Sequence, residues 1–187
     1  MRLFSVKPTL SIKGRKSKGL RGFAGKPTHP PLTDVPIGAY VLVAILDVMS
    51  FIGGETDWAR SLWHTGTFIL AIGVIASVPT ALTGLVDRQT SSEPGTQAWR
   101  TINTHALIMV IVTLAAIANT AWRWTSYNDH AFTPVGIMIL SVATLLFGAI
   151  GATFGGSLVF DYGFNVETAG DHPVWHKSEE DVFHHDN

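Results

Sequence analysis

The chain has 187 residues, of which 47% are apolar and 14% are charged, against about 25% charged residues in an average soluble domain. With a mean hydropathy of +0.27, this composition excludes a disordered chain and argues against an ordinary soluble enzyme. The absence of cysteine excludes disulfides, thiolate nucleophiles, cysteine-ligated zinc, iron–sulfur clusters and covalently attached c-type haem. The net charge of −1 gives no indication of a nucleic-acid partner.

Residues 1–27 form a basic and polar segment without apolar periodicity, which predicts an extended N-terminal arm rather than a packed domain. The segment carries eight of the thirteen Lys and Arg residues of the chain. One interpretation is attraction to anionic lipid headgroups, worth about 1 kcal/mol per basic residue. The other is docking on a partner subunit through the basic residues Lys7, Lys13, Arg15, Lys16, Lys18 and Arg21.

Four apolar stretches follow the arm, and each is long enough to cross a bilayer, which takes about 20 residues. They cover residues 36–54, 61–86, 101–122 and 131–157. None shows the polar stripe at a period of 3.6 residues that a helix of a soluble bundle would show. Because the connections between them are short, consecutive helices should be antiparallel neighbours. The predicted fold class is therefore all-α, an integral membrane four-helix up-down bundle over residues 28–166.

The Lys and Arg residues lie mostly on the side of the bundle that holds both termini. The positive-inside rule then predicts a multi-pass protein of a bacterial inner membrane with both termini in the cytoplasm. On the other side, aromatic residues indicate an interfacial belt: Trp58, Trp63, Trp122, Trp124 and Tyr127. The acidic tail, residues 167–187, contains His172 and His176 at a metal-binding spacing, but we expect it to be solvated.

Ionisable side chains inside a membrane are costly, so each one is a candidate functional residue. Depth along the predicted helices sorts them into two layers. The layer near the termini contains His29, Asp34, Asp87 and His105, the predicted cofactor-binding set. The opposite layer contains Asp47 and His64, which we expect to form a buried polar pair.

The first layer admits three interpretations. Two facing imidazoles, His29 and His105, can ligate haem b axially, with Asp87 orienting one of them. The two histidines with Asp34 or Asp87 can instead hold a divalent metal such as zinc or Fe(II). In the third interpretation, hydrogen-bonded His–Asp pairs only tie helix ends together.

Several segments, in this order, resemble the signature motifs of the DUF2231 family of predicted membrane proteins. They are HPPLTDVPIGAY from His29 to Tyr40, TGLVD from Thr83 to Asp87, THAL from Thr104 to Leu107, and GGSLVFDYGFNV from Gly155 to Val166. The resemblance covers about residues 23–166 and implies a four-helix membrane domain, which in some members is fused to a Rieske-type domain. It also implies that His29, Asp87 and His105 are signature polar positions.

Asp34 stands where other members of the family often carry His, which leaves a ligand role open for it. The chain departs from the family pattern at two positions, Ser157, where members often carry an acidic residue, and Tyr162, where they often carry His. The family resemblance therefore implies a less complete metal-ligand set here.

No nucleophile–base pair, phosphate-binding loop or nucleotide fingerprint is present, so we do not expect an enzyme. The function predicted from the sequence is a non-catalytic accessory subunit of a larger respiratory or photosynthetic membrane complex, docked through its basic arm. Its expected partners are membrane lipid and other membrane-protein subunits. The alternatives are a haem b-binding electron-transfer protein and a metal-binding membrane protein.

Overall fold

A computed structural model describes residues 19–22 and 26–164 of the chain. Four α-helices make up most of this part: α1 (His29–Gly53), α2 (Asp57–Ser91), α3 (Gln97–Ser126) and α4 (Val135–Phe160). Each has the length and hydropathy of a membrane span, with mean hydropathies from 1.9 to 2.3 in the most apolar windows. The predicted all-α membrane bundle is confirmed.

Helix α1 begins at His29, before the predicted start near residue 36, because prolines are tolerated in the first turn of a helix. Pro36 lies further inside the helix and has no N–H to donate to the carbonyl four residues earlier, that of Leu32. The Thr80 hydroxyl of α2 donates to this Leu32 carbonyl at 3.1 Å. The proline therefore provides a polar attachment point between α1 and α2 instead of an unsatisfied acceptor.

Helices α2 and α3 both start at a threonine cap. The hydroxyls of Thr56 and Thr96 accept from the backbone N–H groups of Ala59 and Trp99, which satisfies donors that lack partners within the helix. Both helices extend beyond the predicted apolar stretches. As a result, Asp87 and Arg123 lie within α2 and α3, not in the connections between helices.

The bundle consists of two hairpins, since α1 packs most extensively on α2 and α3 on α4. The central core lies between the hairpins and contains Tyr40, Val43, Leu70, Val112 and Ala116. Large apolar side chains cover much of the outside, as a lipid-facing surface requires.

Buried polar residues lie near the two ends of this bundle. We call the end that carries the start of α1 and the last turns of α2 the histidine end. The opposite end, which carries the last turns of α1 and α3, is called the arginine end.

Candidate functional site

His29, at the start of α1, is anchored on α2 at the histidine end. Its Nδ1 lies 2.9 Å from the carbonyl oxygen of Thr80 and 3.3 Å from the hydroxyl of Thr83. The ring rests on Gly84, where an added Cβ would lie 2.7 Å from the His29 Cε1 atom. Only glycine leaves room for the ring at this position.

His105, near the start of α3, is held in a matching way on α4. Its Nδ1 lies 2.8 Å from the carbonyl oxygen of Gly151. Its ring rests on Gly155, where a Cβ would lie 3.0 Å from Cε1. His29 belongs to the hairpin of α1 and α2, and His105 to the hairpin of α3 and α4. Thus each hairpin positions one imidazole by the same means.

These hydrogen bonds determine the tautomer of each neutral ring. A carbonyl oxygen can only accept, so the Nδ1 atom of His29 and of His105 must carry the proton. In a neutral imidazole the other nitrogen, Nε2, then has a lone pair. Neither Nε2 atom forms a hydrogen bond with another described residue. Metal-ligating histidines commonly have this arrangement, with the non-ligating N–H donated to a carbonyl or carboxylate.

The two aspartates expected at this site are arranged differently. Asp34 is exposed on α1 and lies outside the histidine pair. Asp87 is 5% exposed and packs beneath Gly19, where its Oδ1 atom leaves no room for a Cβ. The orienting role expected of Asp87 is taken by the backbone carbonyls of Thr80 and Gly151. Among residues 19–22 and 26–164, no group of three or more His, Asp or Glu side chains could hold a metal ion.

The arginine end is organised around a buried ion pair between Asp47 of α1 and Arg123 of α3, both 0% exposed. The expected pairing of Asp47 with His64 was wrong. Arg123 lies on a continuous helix at the depth of Asp47, so its guanidinium reaches the carboxylate, whereas His64 lies in a half-exposed position on α2.

Neutral polar side chains complete the hydrogen bonds of this ion pair. The Ser141 hydroxyl donates to Asp47 Oδ2 at 2.5 Å, and the Thr133 hydroxyl donates to Asp47 Oδ1 at 3.1 Å. Arg123 Nε donates to Asn119 at 2.8 Å, and its Nη1 donates to Thr67 at 3.2 Å. All four helices therefore contribute to one network.

The Arg123 guanidinium also stacks on an aromatic ring of α2. Its Cζ atom lies 4.5 Å from the centre of the Trp63 ring, and Trp63 is 1% exposed. This cation–π contact adds to the stabilisation of a desolvated cation. Trp63 therefore has a packing role inside the bundle besides its place in the predicted aromatic belt.

A model of the DUF2231 family, described as a predicted membrane protein, matches residues 25–168, which include all four helices. The chain belongs to the DUF2231 family. No curated protein and no solved structure matches it. In this DUF2231 protein, the matched region contains both ends of the bundle and excludes most of the basic arm.

Only part of the arm lies in the described region of this DUF2231 chain. The residues next to α1 fold back on themselves, because Gly22 N donates to the Lys26 carbonyl at 2.7 Å and Thr28 N donates to the Leu20 carbonyl at 3.1 Å. Of the basic residues predicted to bind a partner, Arg21 belongs to this fold-back. The others lie outside the described residues: Lys7, Lys13, Arg15, Lys16 and Lys18.

Proposed function

We propose that this DUF2231 protein holds haem b between His29 and His105 and acts as an electron carrier in the membrane. Bound haem would supply one-electron redox chemistry with two imidazole ligands. The observation that carries the proposal is the shared anchoring of the two rings. Each donates Nδ1–H to a backbone carbonyl of its neighbouring helix, which leaves Nε2 to bind iron.

The position of the two histidines supports haem as the bound group. They come from different hairpins, and the packing between hairpins is less extensive than the packing within them. One pocket in the described part of the chain is lined by Trp63 and Trp124, and another by Tyr40 and Asn119, so neither lies at the histidine end. We therefore expect a porphyrin to bind by separating the two hairpins there. The glycine beneath each ring lets the imidazole lie against its own hairpin, and this contact determines the orientation of the ring.

The charge at the rim of the histidine end also supports haem, which carries two propionate groups. Arg88 lies near the end of α2, and its Nε atom donates to the Asn103 side chain of α3 at 2.7 Å. This contact bridges the two hairpins two residues before His105. The terminal amino groups of Arg88 form no hydrogen bond with another described residue and can pair with a carboxylate.

An absorption spectrum tests the proposal. The protein is purified from haem-replete cells in mild detergent, and spectra are recorded oxidised and dithionite-reduced, with haemin added where haem content is low. We expect a b-type Soret and α band in the wild type and loss of most of it in His29→Ala and His105→Ala. The matched control is His64→Ala, which removes a histidine at the arginine end and should keep the bands.

A second outcome would contradict the proposal. If folded wild-type protein stays colourless after haemin is added, or if it binds haem equally well in all three variants, the two histidines do not form a haem site. Circular dichroism of each variant separates loss of haem from loss of fold.

The divalent-metal alternative has weaker support from the geometry. Two imidazole nitrogens are available, but in the described part of the chain no third His, Asp or Glu joins them. Elemental analysis of wild type and His105→Ala distinguishes this alternative from haem, because it requires bound metal without a haem spectrum.

The accessory-subunit prediction stays a prediction and is compatible with a haem site. It is tested by deleting residues 2–18, which leaves the fold-back at residues 19–22 and 26–28 in place. If the arm docks on a partner complex, the deletion releases the protein from that complex on a native gel. Complete co-purification of the deleted form would contradict docking through the arm.

We further propose that both termini face the cytoplasm of a bacterial inner membrane, which the distribution of Lys and Arg supports. Because the chain has no cysteine, single cysteines report sidedness without background. Glu93→Cys, between α2 and α3, should resist an impermeant thiol reagent in whole cells, and Asn128→Cys, between α3 and α4, should react. The reverse pattern would contradict the proposed orientation.

A further inference from the structure

A pocket of about 60 Å³ opens at the arginine end, between α2 and α3. A space of this size holds a few water molecules or one small polar group. Arg123 lines the pocket on the side of the bundle interior, with a side chain that is 0% exposed. The ion-pair network described above does not use this space.

Hydrogen-bond donors from two side chains reach the pocket. The guanidinium nitrogens of Arg123 are not among them, because they already bind Asn119, Thr67, Asp47 and Ser141 inside the bundle. The imidazole of His64 and the side-chain amide of Asn128 line the pocket and form no hydrogen bond with any residue the structure describes. The site therefore offers donors from two side chains to an acceptor.

The charge of the site favours a neutral acceptor over an anion. Asp47 already neutralises Arg123 through the buried ion pair. An incoming carboxylate or phosphate would add an unbalanced negative charge in a partly desolvated position, which is costly. A carbonyl oxygen accepts two hydrogen bonds and adds no charge.

The walls of the pocket are aromatic and open toward the lipid. Phe68 and Trp124 are 70% and 55% exposed on the outside of the bundle, while Trp63 closes the inner side. A molecule that enters from the bilayer can place a polar group against the donors and keep its apolar part against Phe68. Flat aromatic walls also suit a planar group.

We propose that this pocket binds the carbonyl group of a neutral, lipid-soluble molecule, with His64 and Asn128 as donors. Two sources present this chemistry at such a depth, the ester carbonyl of a bilayer lipid and the ring carbonyl of a quinone. The pocket lies at the opposite end from His29 and His105, so this site does not depend on the proposed haem.

The experiment compares nanodiscs of diester and diether phospholipids, because diether lipids have no ester carbonyl. Nitrogen NMR of the full chain, labelled with ¹⁵N in histidine and arginine, follows His64 and Arg123. If the lipid ester is the ligand, their signals differ between the two lipids without any addition. If a quinone is the ligand, decyl-benzoquinone added to diether nanodiscs shifts both signals and the shift saturates. Either result supports the site.

Matched variants locate the response. Asn128→Ala removes one donor on an exposed loop and should weaken binding about fivefold, the effect of one net hydrogen bond. Asp129→Ala, at the next exposed position, should leave binding unchanged. Signals that are identical in both lipids and at every quinone concentration would show that the pocket holds only water. A response that is as strong in Asn128→Ala as in Asp129→Ala would place binding elsewhere. Either of these two results overturns the proposal.

Discussion

At the arginine end, Asp47 and Arg123 neutralise each other, and surrounding hydroxyl and amide groups complete their hydrogen bonds. At the histidine end, His29 and His105 each use one ring nitrogen for a backbone carbonyl and keep the other without a described partner. The first arrangement is saturated, as a structural core in lipid must be. The second leaves the Nε2 atom of each ring without a described partner, and the proposed haem site uses these two atoms.

This comparison predicts that the largest loss of stability comes from the arginine end. Arg123→Met leaves the Asp47 carboxylate buried without its cation and should lower the free energy of unfolding by about 3–5 kcal/mol. The double variant Asp47→Leu with Arg123→Met removes both charges and should recover a large part of that loss. Unfolding in mixed micelles by titration with sodium dodecyl sulfate measures both. A double variant that is less stable than either single variant would contradict a simple ion pair.

The glycine beneath each imidazole provides the test of the histidine end. In Gly84→Ala the new Cβ overlaps His29, so we expect about 1–3 kcal/mol of destabilisation and a tenfold or greater loss of haem affinity. Gly38→Ala is the matched control, because nothing lies within 4 Å of a Cβ there. That control should bind haem normally. Haemin titration followed by absorbance compares the two, and equal affinities would contradict the seating of His29 on Gly84.

Ser141 tests whether the network at the arginine end acts as a unit. Its hydroxyl donates to Asp47 and accepts from Asn119 at 2.8 Å. Ser141→Ala should lower the free energy of unfolding by about 1.5 kcal/mol and leave haem binding unchanged. The same micelle titration measures the loss. A change in haem affinity without a change in stability would mean that the two ends are coupled.

The smallest expected effect is at the middle of the bundle. The Tyr40 hydroxyl is 2.7 Å from the Ser77 hydroxyl, which also donates to the Gly73 carbonyl. Because Ser77 keeps that second partner, Tyr40→Phe should cost only about 0.5 kcal/mol. A loss as large as that of Arg123→Met would show that the interior polar groups are more strongly coupled than the two-end description allows.

The sequence predicted the four spans because an apolar stretch of about 20 residues without charges is typical of a transmembrane helix. It also predicted that His29 and His105 lie at the same depth, since helix direction and residue spacing determine depth. Arg123 was assigned to a connection, because a charged residue at the end of an apolar stretch stops the hydropathy window before the helix stops. One signal could have found it: Asn119 and Arg123 lie four residues apart on one helix face, at the depth where Asp47 requires a cation.

Other features of the site had no signal in the sequence. The acceptors for both imidazoles are backbone carbonyls, which every residue possesses, so the residue types did not distinguish them from Asp87. The fit of each ring on a glycine depends on the rotation of one helix against another. Such contacts are determined by packing and appear only once the helices are placed.

The most direct test of the account is the protonation of the two ring nitrogens of His29 and His105. Nitrogen NMR of the histidine-labelled protein in nanodiscs near neutral pH distinguishes the tautomers, with single His→Ala variants used for assignment. The account predicts that both rings carry the proton on Nδ1 and have an unprotonated Nε2, whose signal moves when haemin is added. A proton on Nε2 of either ring, with Nδ1 unprotonated, would contradict the hydrogen bonds to Thr80 and Gly151 and the ligand site built on them.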